Sequence, residues 1–438
     1  MKIFGTDGIR GRAGSGFITP EFMIKIPSAI ASLNNFKTKR VVIGKDTRIS
    51  CYSIENALTA GFTANGFEVI LTGPIPTPAI SMLTRSLRAD YGIIISASHN
   101  PYHDNGIKIF GGDGVKISNA IEQKIEQYIL DGIAGSYNNT FGKAMRLDDV
   151  IGRYVEHIKS SIRNSEAFVG LKVLLDVANG SSYKIAPEIF WELGCTVQTY
   201  NNTPNGVNIN ENCGATHPEF LASKMKEIGG FDIGIILDGD ADRLIVIDEN
   251  GEILDGDNII AAIVFNMKQQ GKLSDKSGVV VTVMSNFGFE QYMHSIGIQS
   301  VVRTDVGDKN VSEALSHTGF HIGGEQSGHI IIPQYSSTGD GILSAIQLIS
   351  AMKAQNWKAS DIGKLYKKSP QILHNFVNET ASKANMEAIA EKYSNTNTRV
   401  LVRRSGTEHS KVRVMIEGED SRDLQLLAKQ IEDDILLG

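Results

Sequence analysis

A strand–helix–strand rhythm that recurs three times limits what this chain can fold into more than any single residue does. Residues 40–44 form a strand, followed by the polar turn Lys45-Asp46-Thr47-Arg48 and a helical stretch. After Asn65-Gly66 comes the next strand, residues 68–71. The same order returns at the strand 172–176, the turn Asn179-Gly180-Ser181-Ser182, a helix ending at Leu193-Gly194, and the strand 195–197. It returns once more at the strand 278–283, the turn Ser285-Asn286, a helix ending at Ile296-Gly297, and the strand 298–302. Each unit puts a glycine just past its helix, where a left-handed residue is least costly. Strands alternating with helices predict sheets covered by helices. A period of about a hundred residues or more is far beyond solenoid lengths, so the repeats are domains.

The last part of the chain differs. It reads as strand 371–379, helix 384–393, strands 398–403 and 412–416, and a final helix. That helix carries Leu424, Leu427, Ala428, Ile431 and Ile435 on one face, with Asp420 or Ser421 as its cap. The predicted domains are 1–150, 151–250, 251–365 and 366–438. At 438 residues the chain exceeds one ordinary core, and 41% hydrophobic with 21% charged residues is a soluble globular composition. No apolar run approaches the ~18 residues of a spanning helix. Net charge is −6 with acids and bases interspersed, so no basic patch offers a nucleic-acid or membrane footprint. The opening Met1-Lys2-Ile3-Phe4-Gly5 lacks a basic region followed by an apolar core, and Cys51, Cys195 and Cys213 have no metal-like spacing. Together these predict a cytoplasmic protein with reduced cysteines.

Four stretches can carry chemistry. The apolar run 91–95 reads as a buried strand that ends in Ser96-Ala97-Ser98-His99-Asn100-Pro101, where proline forces a turn. Ser98 is thereby presented at the carboxyl end of a strand, where α/β proteins place their chemistry. In Asp238-Gly239-Asp240-Ala241-Asp242-Arg243, between two apolar runs, carboxylates at alternate positions of an extended segment converge. Three like charges held together are costly unless a cation sits among them, and hard oxygen ligands suit Mg²⁺. A calcium loop of the EF-hand kind is disfavoured, because Arg243 stands where that loop needs glycine and strands flank it. A solvated acidic turn without metal is the plainer alternative. Arg403-Arg404-Ser405-Gly406-Thr407-Glu408 offers a guanidinium fork, hydroxyls and a flexible glycine to an oxyanion, and otherwise reads as a polar β-turn. Gly323-Gly324-Glu325-Gln326-Ser327-Gly328-His329 frames an acid, an amide, a hydroxyl and an imidazole with loop glycines, which fits several sugar hydroxyls.

His99 cannot activate Ser98 merely by adjacency, since consecutive extended side chains diverge. A phosphorylated serine avoids that problem: a metal neutralises the phosphoryl oxygens while the protein positions donor and acceptor. A second, distant phosphate site is needed when a substrate keeps one phosphate anchored while its other end reacts. The combination points to moving a phosphate between two positions of one sugar.

Read as a whole, the chain resembles the α-D-phosphohexomutase superfamily nearly end to end. The motifs are Phe4-Gly5-Thr6-Asp7-Gly8-Ile9-Arg10-Gly11, Gly44-Lys45-Asp46-Thr47-Arg48, Ser96 to Pro101 and Asn105-Gly106-Ile107-Lys108. They continue through Asp238 to Arg243, Val306-Gly307-Asp308, Gly324 to His329 and Arg403 to Glu408. The resemblance implies an α/β protein of three related domains with mixed sheets, plus a C-terminal α+β domain like the TATA-box-binding protein, around a central cleft. It implies that Ser98 is the phosphoserine and that Asp238, Asp240 and Asp242 hold one Mg²⁺ with the Ser98 phosphate. Glu325 and Ser327 would read sugar hydroxyls, while Arg403, Ser405, Gly406, Thr407 and Arg413 would hold the non-reacting phosphate. Arg10, His99, Lys108, Arg243 and His329 would line the reacting centre, with Lys108 and His329 as candidates for proton transfer. The implied reaction interconverts glucosamine 6-phosphate and glucosamine 1-phosphate through a glucosamine 1,6-bisphosphate. The opening motif and Gln326 favour this glucosamine branch over the mannose and glucose branch; a non-catalytic sugar-phosphate binder is the rival from another class. A homodimer is compatible with the sequence.

The chain also departs from the superfamily pattern. Ala241 replaces a usual glycine, a small change if its φ is negative, and Cys51 stands where glycine is common. Glu408 is followed by His409 rather than proline, and Arg413 arrives one residue late, so Lys411 is a rival for the phosphate.

Overall fold

The computed structural model describes residues 2–5, 7–132, 140–162, 168–274, 276–378, 380–395, 398–404, 411–418 and 421–437. Its first three sheets share one connectivity. In the first, Arg40–Lys45 runs parallel to Glu68–Pro74 on one side and to Tyr91–Ile95 on the other, and Tyr91–Ile95 turns back antiparallel into Asp104–Gly111. The second repeats this with Lys172–Asp176, Thr196–Tyr200, Ile233–Leu237 and Leu244–Ile247. The third repeats it with Gly278–Thr282, Ser300–Thr304, Gly323–Gly324 and Ile330–Ile331. The reversal between the last two strands of each set is therefore one topological position used three times. It holds Ser98 in the first sheet, the Asp238–Asp242 turn in the second and the Glu325–His329 loop in the third.

The helix-ending glycines behave alike. Gly66, Gly194 and Gly297 have φ of 81°, 87° and 79°. In each case the next amide reaches five residues back, Phe67 to Phe62 at 3.0 Å, Cys195 to Phe190 at 3.0 Å and Ile298 to Met293 at 2.8 Å. Each satisfies an orphan carbonyl at the helix end. This also explains a shift in the third unit. Ile298 spends its amide on the cap, so the strand predicted at 298–302 begins at Ser300 and runs to Thr304. A strand not anticipated, Ile9–Arg12, pairs antiparallel with Asp104–Gly111 and brings the N-terminal motif beside Lys108.

The last unit packs separately from the other three. One continuous core runs through the first three units, from Val42 and Ile80 through Val173 and Leu237 to Val281 and Ile346. The last unit has its own core of Phe376, Met386, Val400, Val414, Ile416, Leu424 and Ile431 under an antiparallel sheet ordered Gln371–Val377, Lys411–Glu417, Arg399–Arg404. Its contacts with the third unit are polar. Arg399 donates to the carbonyls of Ser285 (3.0 Å) and Val283 and pairs with Glu417 at 2.7 Å, and Asn286 meets Glu417 at 3.3 Å. The final helix is Ser421–Leu437; of the two expected caps, Ser421 is its first residue and Asp420 lies outside the described residues. No helix among the described residues is long and apolar enough to cross a membrane, and all three cysteines are buried free thiols.

Candidate active site

Ser98 follows the buried strand Tyr91–Ile95 and has φ of 52°, a left-handed conformation that non-glycine residues adopt at an energetic penalty. Neighbours hold it there. Ser96 Oγ accepts from the Ser98 amide at 2.9 Å, and the Ser98 carbonyl accepts from Arg48 Nη2 at 3.2 Å and Asn210 Nδ2 at 2.8 Å. Arg48 and Asn210 also reach the Asn100 carbonyl, and Arg48 is fully buried against Asp46. The Ser98 hydroxyl donates to Asp238 Oδ2 at 2.6 Å, while His99 Nδ1 is 3.4 Å away. Burial, then Arg243 and Arg10, push His99 down to about 4, so the ring is neutral.

The three aspartates converge, but by a tight turn rather than by strand alternation. The Ala241 amide closes it onto the Asp238 carbonyl at 3.0 Å, and Ala241 has φ of 57°. The condition under which its replacement of glycine would be minor is therefore not met. One oxygen from each of Asp238, Asp240 and Asp242 lies within 4.8 Å of the others, and all three residues are buried. Asp238 Oδ1 accepts the Arg243 amide at 3.2 Å, and Asp240 Oδ2 accepts Thr77 Oγ1 at 2.6 Å, at the start of the helix Thr77–Ser86. Asp240 Oδ1 and Asp242 Oδ1 are buried without a hydrogen-bond partner. Burial, then Asp242 and Asp240, raise Asp238 to about 8. Without a cation, then, one of these carboxylates retains a proton. Unpartnered buried oxygens and an all-carboxylate donor set fit a hard divalent cation.

Lys108 is buried, with Nζ 3.0 Å from Asp240, 2.8 Å from Asp242 and 3.3 Å from Asp7. Burial opposes its charge, but Asp240, Asp242 and Asp7 hold it well above the usual lysine range. Arg10 pairs with Asp7 and donates to the Ala97 carbonyl at 3.3 Å. Arg243 pairs backbone to backbone with His329, tying the aspartate turn to the third unit's loop. His329 is buried with Nδ1 3.6 Å from Asp242 and Nε2 3.8 Å from Asp308. Burial works against its protonation, and Asp242 and Asp308 outweigh it. The Gly339 amide donates to Nε2 at 3.2 Å, which places the first proton on Nδ1, facing Asp242. Glu325 is buried with Oε1 accepting the Gly307 amide at 3.0 Å, whereas Ser327 is exposed at the loop tip.

In the last unit Arg403 and Arg413 are directly opposite each other across the antiparallel pair. They share a sheet face with Arg399 and Glu417, which meet the third unit. Two guanidinium-bearing residues at one register position repel unless an anion lies between them. The late Arg413 thus still stands beside Arg403. Ser405, Gly406 and Thr407 lie outside the described residues.

Sequence reasoning missed Arg48, Asn210, Thr77, Asp7 and Asp308 as parts of this site. Arg48, Asp7 and Asp308 sit inside quoted motifs, which was the available signal; Asn210 belongs to an Asn-rich stretch, and nothing in the sequence marked Thr77.

The chain has relatives along its whole length. Family models described as phosphoglucomutase/phosphomannomutase match along the chain: α/β/α domain I at residues 1–134, domain II at 152–251, domain III at 255–371 and the C-terminal domain at 356–434. A phosphoglucosamine mutase of Parvibaculum lavamentivorans is 46% identical, covering 96% of this chain and 95% of that protein. Among solved structures, a phosphoglucomutase/phosphomannomutase family protein of Burkholderia thailandensis has a TM-score of 0.83 at 23% identity, covering 99% of this chain and 95% of its own. The N-acetylphosphoglucosamine mutase of Aspergillus fumigatus, solved with GlcNAc-6P and magnesium, has a TM-score of 0.64 at 17% identity, with coverage of 99% and 95%. At these identities the structures share the fold. The chain belongs to the phosphoglucomutase/phosphomannomutase family of α-D-phosphohexomutases, on its phosphoglucosamine mutase branch.

Proposed function

We propose that the chain interconverts glucosamine 6-phosphate and glucosamine 1-phosphate, as an isomerase that works by intramolecular phosphoryl transfer, and so supplies amino-sugar nucleotide and cell-wall precursor synthesis in the cytoplasm. The observation that carries this reading is the contact of 2.6 Å between a strained, buried Ser98 hydroxyl and the first of three converging aspartates. Ser98 carries the phosphoryl group between turnovers. Asp238, Asp240 and Asp242, with the phosphoryl group on Ser98, hold one Mg²⁺. When bound, that ion supplies positive charge against the phosphoryl oxygens.

The chain's own residues do the rest. Glu325 and Ser327 orient the sugar hydroxyls; Arg403, Ser405, Gly406, Thr407 and Arg413 hold the phosphate that is not reacting. The bond between phosphorus and Ser98 Oγ breaks as the bond to the sugar hydroxyl forms, and the hydroxyl proton returns to Ser98. Lys108 and His329, which share Asp242, move that proton, and Arg10, His99 and Arg243 face the phosphoryl oxygens. The resulting 1,6-bisphosphate turns over in the cleft before the second transfer restores phospho-Ser98. The separate core of the last unit lets it release and re-grip the sugar during that turn.

Phosphorus NMR of the phosphorylated protein with Mg²⁺ tests the reading, with glucosamine, glucose and mannose 6-phosphates supplied in parallel. Glucosamine 1-phosphate is expected to grow fastest. A leading glucose or mannose product would replace the substrate, and no product from any of the three would remove the activity.

A further inference from the structure

Two motif acids at the edge of the site, Asp7 and Asp308, are held by one side chain, Lys116. After the strand Asp104–Gly111 the chain folds back, so that Val115 accepts from the Gly111 amide at 2.8 Å and Lys116 pairs with Phe110. The half-buried Lys116 ammonium then contacts Asp7 Oδ1 and Asp308 Oδ2 together. Asp7 in turn pairs with Arg10 and lies 3.3 Å from Lys108, while Asp308 lies 3.8 Å from His329. A single cation therefore joins the acid that steadies Arg10 and Lys108 in the first unit to the acid beside His329 in the third. We propose that Lys116 is a positioning residue for phosphoryl transfer, setting the first and third units at the spacing the reacting groups require. The proposal rests on the mutase reading above.

The docking of these units does not depend on Lys116 alone. Gly114 accepts from Ser337 Oγ at 2.8 Å, and Lys309 Nζ reaches Glu122 at 3.0 Å and Asn119 at 2.7 Å. A cleft of about 1280 Å³ also borders Lys116 and Asp308, so a neutral side chain there meets space rather than a packed core. Loss of the ammonium thus leaves the fold in place and frees Asp308 to turn toward His329.

The test compares Lys116→Met, Lys116→Arg, Asp308→Asn and the Met/Asn double variant on glucosamine 6-phosphate. Lys116→Met is expected to lower kcat about 10- to 100-fold with KM changed less than about 3-fold, because misplacing reacting groups acts on the transition state. Lys116→Arg is expected to recover most of that loss. The double variant is expected to be no slower than Lys116→Met, since both changes break one bridge. A Lys116→Met protein that melts earlier but keeps wild-type kcat overturns the proposal, as does full additivity or an Arg variant no better than Met. A crystal structure of Lys116→Met decides the positional claim without turnover: Arg10 and His329 in unchanged places would overturn it. A wild type that turns over no glucosamine 6-phosphate defeats the mutase reading instead.

Discussion

Gly339→Ala is a steric probe of His329 that leaves every charge in the centre untouched. A β-carbon at position 339 would sit 2.4 Å from Cε1 and Nε2 of His329 and 2.6 Å from Nδ1. Ordinary carbon contacts begin at ~3.5 Å, so the ring must retreat by about 1 Å. It has little room, being 3% exposed, with Asp242 3.6 Å and Asp308 3.8 Å from its nitrogens. The φ of Gly339 lies outside the left-handed region, so alanine adopts the backbone freely and gains about 0.4–1 kcal/mol from a less flexible unfolded chain. Overpacking costs about 1–3 kcal/mol, which leaves a net loss of stability of about 0 to 2.6 kcal/mol. Catalysis responds more strongly. A displacement of about 1 Å at a reacting group is worth about 100-fold in rate, or about 2.7 kcal/mol. Steady-state kcat on glucosamine 6-phosphate and a thermal melt measure the two effects. Gly152→Ala is the control: it lies in the helix Val150–Lys159 with nothing within 4 Å of the added carbon, and should raise stability with kcat unchanged. Wild-type kcat in Gly339→Ala would refute the placement of His329 in the reacting centre.

Three further outcomes follow from the same structure. Ala241→Gly relieves a left-handed alanine worth about 1–2 kcal/mol but loses a buried methyl and gains unfolded-state freedom, about 0.8 and 0.4–1 kcal/mol; the melt should move little, and a large loss of stability would contradict the balance. Asp240→Asn should abolish most activity and weaken Mg²⁺ binding by calorimetry, and full Mg²⁺-dependent turnover in it would sink the metal assignment. Burial raises Asp340 to about 6, against the hydrogen bonds it accepts from Leu343 and Tyr154. A raised carboxyl favours folding while protonated, so its contribution is full below about 4 and lost as pH rises through about 6. Tyr154→Phe removes a donor to the charged form, so its loss of stability should be greater at about pH 8 than at about pH 4.5, and equal losses would refute the pairing.

Much of the fold was legible because its signals are local. A glycine after a helix and an apolar run before it need only neighbouring residues, which is why Gly66, Gly194 and Gly297 marked the helix ends. The strand Ile9–Arg12 was not legible, since four residues of mixed burial carry no period. Nor was the equivalence of the three loops, because it depends on strand order: Gly323–Gly324 is a two-residue strand recognised only through its partners Val280 and Ile330. The chemistry-bearing residues stood out by type and clustering. Their supports did not, because Arg48, Asn210 and Lys116 act on residues far along the chain, and Lys116 reaches Asp308 across 192 positions. Local geometry misled in one place: the aspartates meet through a left-handed turn at Ala241, which no alternation of side chains describes.

The central claim is that Ser98 gives its phosphoryl group to the sugar and takes one back. Phosphorylated protein, mixed in a single turnover with glucosamine 6-phosphate and Mg²⁺, can be followed by intact mass for the protein and phosphorus NMR for the sugar. The account predicts that the protein's phosphoryl group passes to the sugar, that any loss from the protein is matched by an equal amount of 1,6-bisphosphate and restored as glucosamine 1-phosphate forms, and that Ser98→Ala neither carries the group nor turns over. Turnover in which the protein's original phosphoryl group never reaches the sugar, its release as inorganic phosphate in step with product, or an active Ser98→Ala would contradict it.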